Sequence, residues 1–385
     1  MKKRFEINIG QKVIDDLKER LSRTRWPDEI ENANWECGTN RSYLRELCAY
    51  WQNDFDWKEQ ERYLNSFSHY KADVDGFTLH FIYEKGKGKH TIPLLLTHGW
   101  PDSFIRFLKL IPLLTKADEN GVSFDVIVPS IPGYGFSGIP NAPGMNPVKI
   151  ADLLGRLMTK ELGYEKFVAQ GGDWGSTITE MLSRHYPENV LAIHLTDIPF
   201  IHLFDIPEGE LRPEEKDYLE KGRQWQQQEG AYAMIQSTKP QTLGYGLNDS
   251  PAGLASWIIE KFYRWSDNHG DLENAFSKDE LLTNLTIYWS TETINSATRL
   301  YYESARAMAN VKPENAGADK ATKLQTPTGV AIFPKDLITA PRAYADRIFN
   351  IAQWTEFKEG GHFAAMEKPE LLAEDIREFA AKLNL

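Results

Sequence analysis

Asp173 stands where a serine would be expected. It is the centre of Gly171-Gly172-Asp173-Trp174-Gly175, a G-x-Nu-x-G pattern in which glycines flank a residue presented on a sharp turn between a strand and a helix. A serine in that slot attacks carbonyl carbon. A carboxylate attacks saturated, electrophilic carbon and leaves an alkyl ester on the enzyme. The implied substrate carries strain or a good leaving group on sp3 carbon, as an epoxide or an alkyl halide does. An aspartate at a strand–helix junction also suits a helix N-cap. The flanking glycines and the apolar run before them favour the nucleophile.

The ester must then be hydrolysed, which requires a general base. For this turn the chain order is nucleophile, acid, histidine. Of the nine histidines, His362 in Gly360-Gly361-His362-Phe363 comes last, between the final predicted strand and the final helix. The orienting acid is expected on the loop after the preceding strand, and Asp336 in Phe333-Pro334-Lys335-Asp336-Leu337 fits. Asp346 and Glu356 are rivals that fall inside predicted elements. The acid would fix the histidine tautomer and stabilise the imidazolium. Ester hydrolysis also develops an oxyanion, which needs N–H donors aimed at it. The backbone of Trp174 is one candidate. The other is Trp100 in His98-Gly99-Trp100-Pro101, since Pro101 has no N–H. His98 itself is expected to be structural. Opening an epoxide would leave an alkoxide in need of an acid, and tyrosine is a neutral donor. Tyr218, Tyr232, Tyr245, Tyr263, Tyr288, Tyr301 and Tyr302 all lie in one stretch, and spacing does not choose among them.

These groups need elements to carry them. Residues 1–90 read as a helical and hairpin segment packing on the core. Val13, Ile14, Leu17 and Leu21 share a helical stripe, 41–52 and 56–65 are again helical, and Asp75-Gly76 separates two strand-like runs. Residues 91–199 alternate apolar strands with helices, at Ile92 to Leu96, Phe124 to Val128, Lys166 to Gln170 and Val190 to Leu195. Residues 323–385 resume that alternation. The order predicts an α/β fold, a mostly parallel sheet with helices on both faces. Residues 200–322, helical and rich in Trp and Tyr, read as a cap inserted between two strands.

Composition is compatible with this. The 385 residues are 41% hydrophobic, with 11 Trp, 16 Tyr and 19 Phe, enough for a sizeable core. The net charge of −11 is spread along the chain and no basic stripe stands out, which argues against a nucleic-acid partner. Two cysteines, Cys37 and Cys48, imply no disulfide framework. The N-terminus lacks a signal-peptide apolar region, and no run is long enough to span a bilayer, so a cytoplasmic protein without a membrane anchor is expected. No cluster has metal-ligand spacing and no phosphate-binding glycine loop is present, so no cofactor or metal is expected. Oligomeric state is open.

The whole set of motifs resembles one family. Arg23-Thr24-Arg25-Trp26-Pro27, the His98–Pro101 loop, the Gly171–Gly175 turn and the Gly360–Phe363 loop are similar to those of the microsomal-type epoxide hydrolases. So are Ser237-Thr238-Lys239-Pro240, Asn248-Asp249-Ser250-Pro251 and Tyr288-Trp289, and the likeness spans nearly the whole chain. It implies an α/β-hydrolase core with a helical cap, and conversion of an epoxide and water to a vicinal diol. It implies Asp173 as nucleophile, Asp336 as relay acid and His362 as base. It puts two ring-opening tyrosines on Tyr232 and Tyr301, with Tyr302 an adjacent alternative. Mammalian members carry Glu as the relay acid, one methylene longer than Asp336, and have an anchoring helix that finds no counterpart here. A haloalkane dehalogenase shares the fold and an Asp-Trp pair, but commonly has Asn where Trp100 stands, and its departing halide needs no proton. A non-catalytic binding protein of this fold would tend to lose a triad member, and here all three are present.

Overall fold

The structure, a computed structural model, describes residues 1–203, 206, 208–310 and 322–385. The remainder of the expected cap stretch, at 204, 205, 207 and 311–321, lies outside the described residues. Among the described residues nine strands form one sheet: β1 (Lys3–Arg4), β2 (His69–Val74), β3 (Phe77–Glu84), β4 (His90–Thr97), β5 (Val122–Pro129), β6 (Phe167–Gly171), β7 (Val190–Leu195), β8 (Pro327–Ile332) and β9 (Asn350–Glu356). Their spatial order is β1-β2-β3-β5-β4-β6-β7-β8-β9. From β5 to β9 each neighbouring pair is parallel. Parallel strands are covered on both faces, which is why their sequences read as unbroken apolar runs. Leu94, Leu95 and Leu96 are all fully buried, as are Val126, Ile127 and Val128.

The N-terminal segment contributes more than a layer on the core. β2 and β3 extend the sheet itself, β3 pairing antiparallel with β5 and β1 adding a short edge. Asp75 (φ 52°) and Gly76 (φ 78°) join β2 to β3. Positive φ at both central residues is the backbone a two-residue hairpin of matching twist requires. Between β4 and β5 lie a 3-10 turn at Phe104–Phe107 and a helix at Leu110–Thr115, neither foreseen in the sequence. Six residues are too few to show a period, and Pro112 masks the rest. The helix Pro147–Arg156 continues as a π-wound turn over Leu157–Glu161.

Six helices build the described part of the cap: Pro213–Gln228, Ala231–Thr238, Pro240–Asp249, Pro251–Trp265, Lys278–Thr291 and Ile294–Ala309. Their starts carry local signals. Ser250 accepts the N–H of Gly253, and Ser277 with Glu280 forms a reciprocal capping box. The N-terminal helices clasp the cap from outside. Trp51 Nε1 donates to Thr286 Oγ1 at 2.9 Å in a buried bond, and Trp35 stacks on Tyr263 at 3.9 Å. Among the described residues no helix is long and apolar enough to cross a membrane.

Candidate active site

β6 runs straight into the turn that holds Asp173, and the helix Trp174–His185 follows at once. Asp173 has φ 58° and ψ −130°. This is a strained region for a residue with a Cβ, and it occurs where surrounding structure enforces it. The side chain makes no capping bond to the helix, so the N-cap reading fails. The glycines are required by close approach. A Cβ on Gly171 would lie 2.1 Å from the carbonyl oxygen of Gly175, and one on Gly175 would lie 2.0 Å from that of Thr97.

The expected groups meet at the carboxyl ends of neighbouring parallel strands, where open α/β sheets build their sites. Trp100 follows β4, Asp173 β6, Asp336 β8 and His362 β9. The N–H of Trp100 donates to Asp173 Oδ1 at 2.8 Å. His362 Nε2 lies 3.2 Å from Asp173 Oδ2, and its Nδ1 lies 2.6 Å from Asp336 Oδ1. The shorter aspartate therefore spans the gap to the histidine. Leu337 N–H steadies the same Asp336 oxygen at 2.7 Å. Of the two expected oxyanion donors, Trp100 engages the carboxylate, whereas the N–H of Trp174 is not so engaged. The rivals are elsewhere: Asp346 pairs with Arg342 and Glu356 accepts from Trp354. His98 is buried and structural, its Nε2 accepting the N–H of Ile131.

Burial alone would keep His362 neutral. The Asp336 and Asp173 carboxylates on either side outweigh it and raise the imidazole to about 10, so the resting ring is an imidazolium between two carboxylates.

A cavity of about 560 Å³ opens over Asp173, with Trp174, Ile198, Trp225 and Leu337 on its walls. Of the seven cap tyrosines, Tyr232 and Tyr301 line it. Trp100 stacks on Tyr232 with ring centroids 5.2 Å apart, and Trp174 meets Tyr301 edge-on at 4.8 Å. Burial, and next the neighbouring charge of Asp173 or the partner phenol, holds both phenols well above their ordinary value. Tyr302 is bonded to Arg306 and is absent from the cavity wall, while Tyr245 is 73% exposed.

Three features escaped the sequence reading. Asp197, directly after β7, accepts the N–H of Asp173 at 2.8 Å. Its place at a strand end was the available signal. Arg106 is buried, pairs with buried Asp102, and donates to the carbonyl oxygen of His362. Burial opposes the Asp102 charge, but Arg106 prevails and lowers the carboxyl to about 2. Nothing in the sequence singles out that pair. Glu367 accepts the N–H groups of Phe363 and Asp267 and so closes the loop that bears His362.

Comparison with known proteins agrees with this fold. The family described as Epoxide hydrolase N terminus matches residues 2–107, and that described as alpha/beta hydrolase fold matches residues 92–369. Epoxide hydrolase 1 of Sus scrofa is 38% identical over 99% of this chain and 88% of its own length. The crystal structure of juvenile hormone epoxide hydrolase from the silkworm Bombyx mori superposes with a TM-score of 0.89 at 31% identity, covering 100% of this chain and 95% of that one. The Aspergillus niger epoxide hydrolase structure gives 0.86 at 28% identity, covering 100% and 97%.

Proposed function

This chain belongs to the microsomal-type epoxide hydrolase family and hydrolyses epoxides, and from that premise we propose how its own residues carry the reaction. Asp173 Oδ2 attacks an epoxide carbon and the C–O bond breaks. The freed oxygen takes a proton from Tyr232 or Tyr301, leaving a phenolate and an alkyl ester at Asp173. Esterification removes the Asp173 charge, one of the two that hold His362 protonated. The imidazolium then gives up its proton, which replaces the one the tyrosine spent. Neutral His362, oriented by Asp336, takes a proton from water, and the hydroxide adds to the ester carbonyl. The Trp100 and Trp174 N–H groups receive the oxyanion. Collapse expels the diol oxygen, which takes the proton of the new carboxyl group, and the carboxylate–imidazolium pair is restored.

The observation that carries this reading is one carboxylate held by the Trp100 N–H on one oxygen and facing His362 on the other, below two cavity-lining tyrosines. The two phenols favour an epoxide over a halide, which would leave them idle. The apolar walls suit an apolar epoxide. A detoxifying role in a reducing, cytoplasmic setting fits the unpaired Cys37 and Cys48. The test is a trap. His362→Gln incubated with styrene oxide is expected to alkylate Asp173 and stall, giving a stable mass increase on the peptide that contains it. Normal turnover by that variant, or no adduct despite substrate binding, contradicts the assignment.

A further inference from the structure

Asp197 stands against the nucleophile with both carboxyl oxygens engaged. Oδ1 accepts the N–H of Asp173 at 2.8 Å. Oδ2 lies 2.8 Å from Ser176 Oγ, and the same hydroxyl lies 2.6 Å from the carbonyl oxygen of Asp173. Ser176 has one hydroxyl proton, and a carbonyl oxygen can only accept. If that proton goes to Asp173, as the shorter contact favours, the bond between Ser176 and Asp197 needs a proton from Asp197. A protonated acid satisfies every atom in the chain: its carbonyl oxygen accepts the Asp173 N–H, its O–H donates to Ser176 Oγ, and Ser176 donates to Asp173 C=O.

We propose that Asp197, as the neutral acid, clamps both backbone polar groups of Asp173 and so positions the nucleophile. It is a positioning residue, acting through the backbone of another. The inference rests on Asp173 being the nucleophile.

The surroundings support the neutral form. Asp173 and Asp336 press negative charge on Asp197, while His362 opposes them; Arg106, from the segment after β4, adds positive charge, and Tyr218 of the cap helix Pro213–Gln228 also faces it. Burial and, next, the Asp336 charge raise Asp197 to about 7. A third carboxylate here would do two kinds of harm. It would leave the Ser176 hydroxyl shared between two acceptors, loosening a turn whose φ of 58° must be enforced. It would also hold the proton on His362 after Asp173 has become an ester, when that proton has to leave.

Asparagine reproduces the neutral acid, with an amide oxygen toward Asp173 and an NH2 toward Ser176. Alanine reproduces neither. The experiment compares wild type, Asp197→Asn and Asp197→Ala in single turnovers with styrene oxide between pH 5 and 10, reading alkylation and ester hydrolysis separately. Asp197→Asn is expected to alkylate within about 3-fold of wild type, because the hydrogen bonds persist. Below pH 7, where Asp197 of the wild type is the neutral acid, Asp197→Ala is expected to alkylate on the order of 10²-fold more slowly than wild type, since a misplaced nucleophile costs about that much. Ester hydrolysis in Asp197→Asn is expected to rise with pH through a single ionisation, at lower pH than in wild type, where Asp197 ionises over the same range. Circular dichroism checks that Asp197→Ala is folded; if it is not, the Asp197→Asn profile decides alone. The proposal is overturned if Asp197→Asn alkylates as slowly as a folded Asp197→Ala, if Asp197→Ala matches wild type below pH 7, or if the Asp197→Asn hydrolysis profile superposes on that of wild type. Absence of any Asp173 adduct in wild type overturns the nucleophile assignment and this inference with it, an outcome distinct from the other three.

Discussion

At the scale of single residues, the site divides the chemistry between groups that are charged from the start and groups that stay neutral. Asp173 is one of the former, and Asp173→Asn is expected to abolish diol release, measured on freshly prepared protein before deamidation restores the acid. Tyr232 and Tyr301 are among the latter. Burial keeps both phenols protonated far above neutral pH, so the acid is loaded whenever an epoxide arrives. Each single Tyr→Phe variant should keep part of the alkylation rate. The double variant should lose roughly 10²–10⁴-fold, the usual worth of a general acid. Hydrolysis of a preformed ester should hardly change, because it uses His362 and backbone donors. Alkylation at the wild-type rate in a folded double variant would remove both tyrosines from the role. The convergence of Asp173, Asp336 and His362, proposed above as nucleophile, relay acid and base, was legible in the sequence because their turn and chain order are themselves mechanical. Spacing alone did not pick out the tyrosines; the resemblance put them on Tyr232 and Tyr301, and since Tyr301 and Tyr302 are neighbours on one helix, packing decides which of those two faces the cavity. Asp197 lay at a strand end but matched no motif, and its role depends on a hydrogen-bond chain that only folding assembles.

At the scale of elements, the site is assembled from five neighbouring strand ends, and Arg106 ties two of the segments that follow them together. It joins the segment after β4, through Asp102, to the loop after β9, through the carbonyl of His362. Asp102 is in turn fixed to the His98 loop by the N–H of Gly99 at 3.0 Å, and its own carbonyl accepts from Tyr288 of the cap. Arg106→Met is expected to destabilise the protein by about 3–5 kcal/mol, because it leaves a buried carboxylate unpaired. Urea unfolding measures this, and a loss under about 1 kcal/mol would show the pair to be dispensable. Replacing Asp102 by Asn at the same time should recover part of the loss. Most strands and long helices were readable, since a buried strand is an apolar run and a helix shows its period. The elements missed were short: the two-residue β1 and the turn and helix between β4 and β5. Local sequence carries too little there, and tertiary contacts decide.

At the scale of the whole molecule, the active site is a source of stability as well as of chemistry. The imidazole of His362 is raised from its ordinary 6.5 to about 10 by two carboxylates that prevail over burial. A histidine whose folded pKa lies above its unfolded one contributes fully below about 6.5 and loses that contribution as pH climbs through about 10. The melting temperature is therefore expected to fall between pH 7 and pH 10, and to fall less in His362→Gln, as differential scanning calorimetry would read. An identical slope in both proteins would locate the pH dependence elsewhere. The arrangement of the N-terminal segment bears on how the protein is made. β3 gains its second neighbour in β5, and the Trp51 Nε1–H finds its acceptor in Thr286. Synthesis runs from the N-terminus to the C-terminus, so the helices of this segment emerge well before the cap that buries them. The hairpin can pair with β5 early, but the helices lack their cap partners until most of this sequence has been synthesised. A ribosome stalled before the cap is complete should hold a nascent chain whose residues 11–65 are cut readily by protease, and one stalled after residue 385 has emerged should protect them.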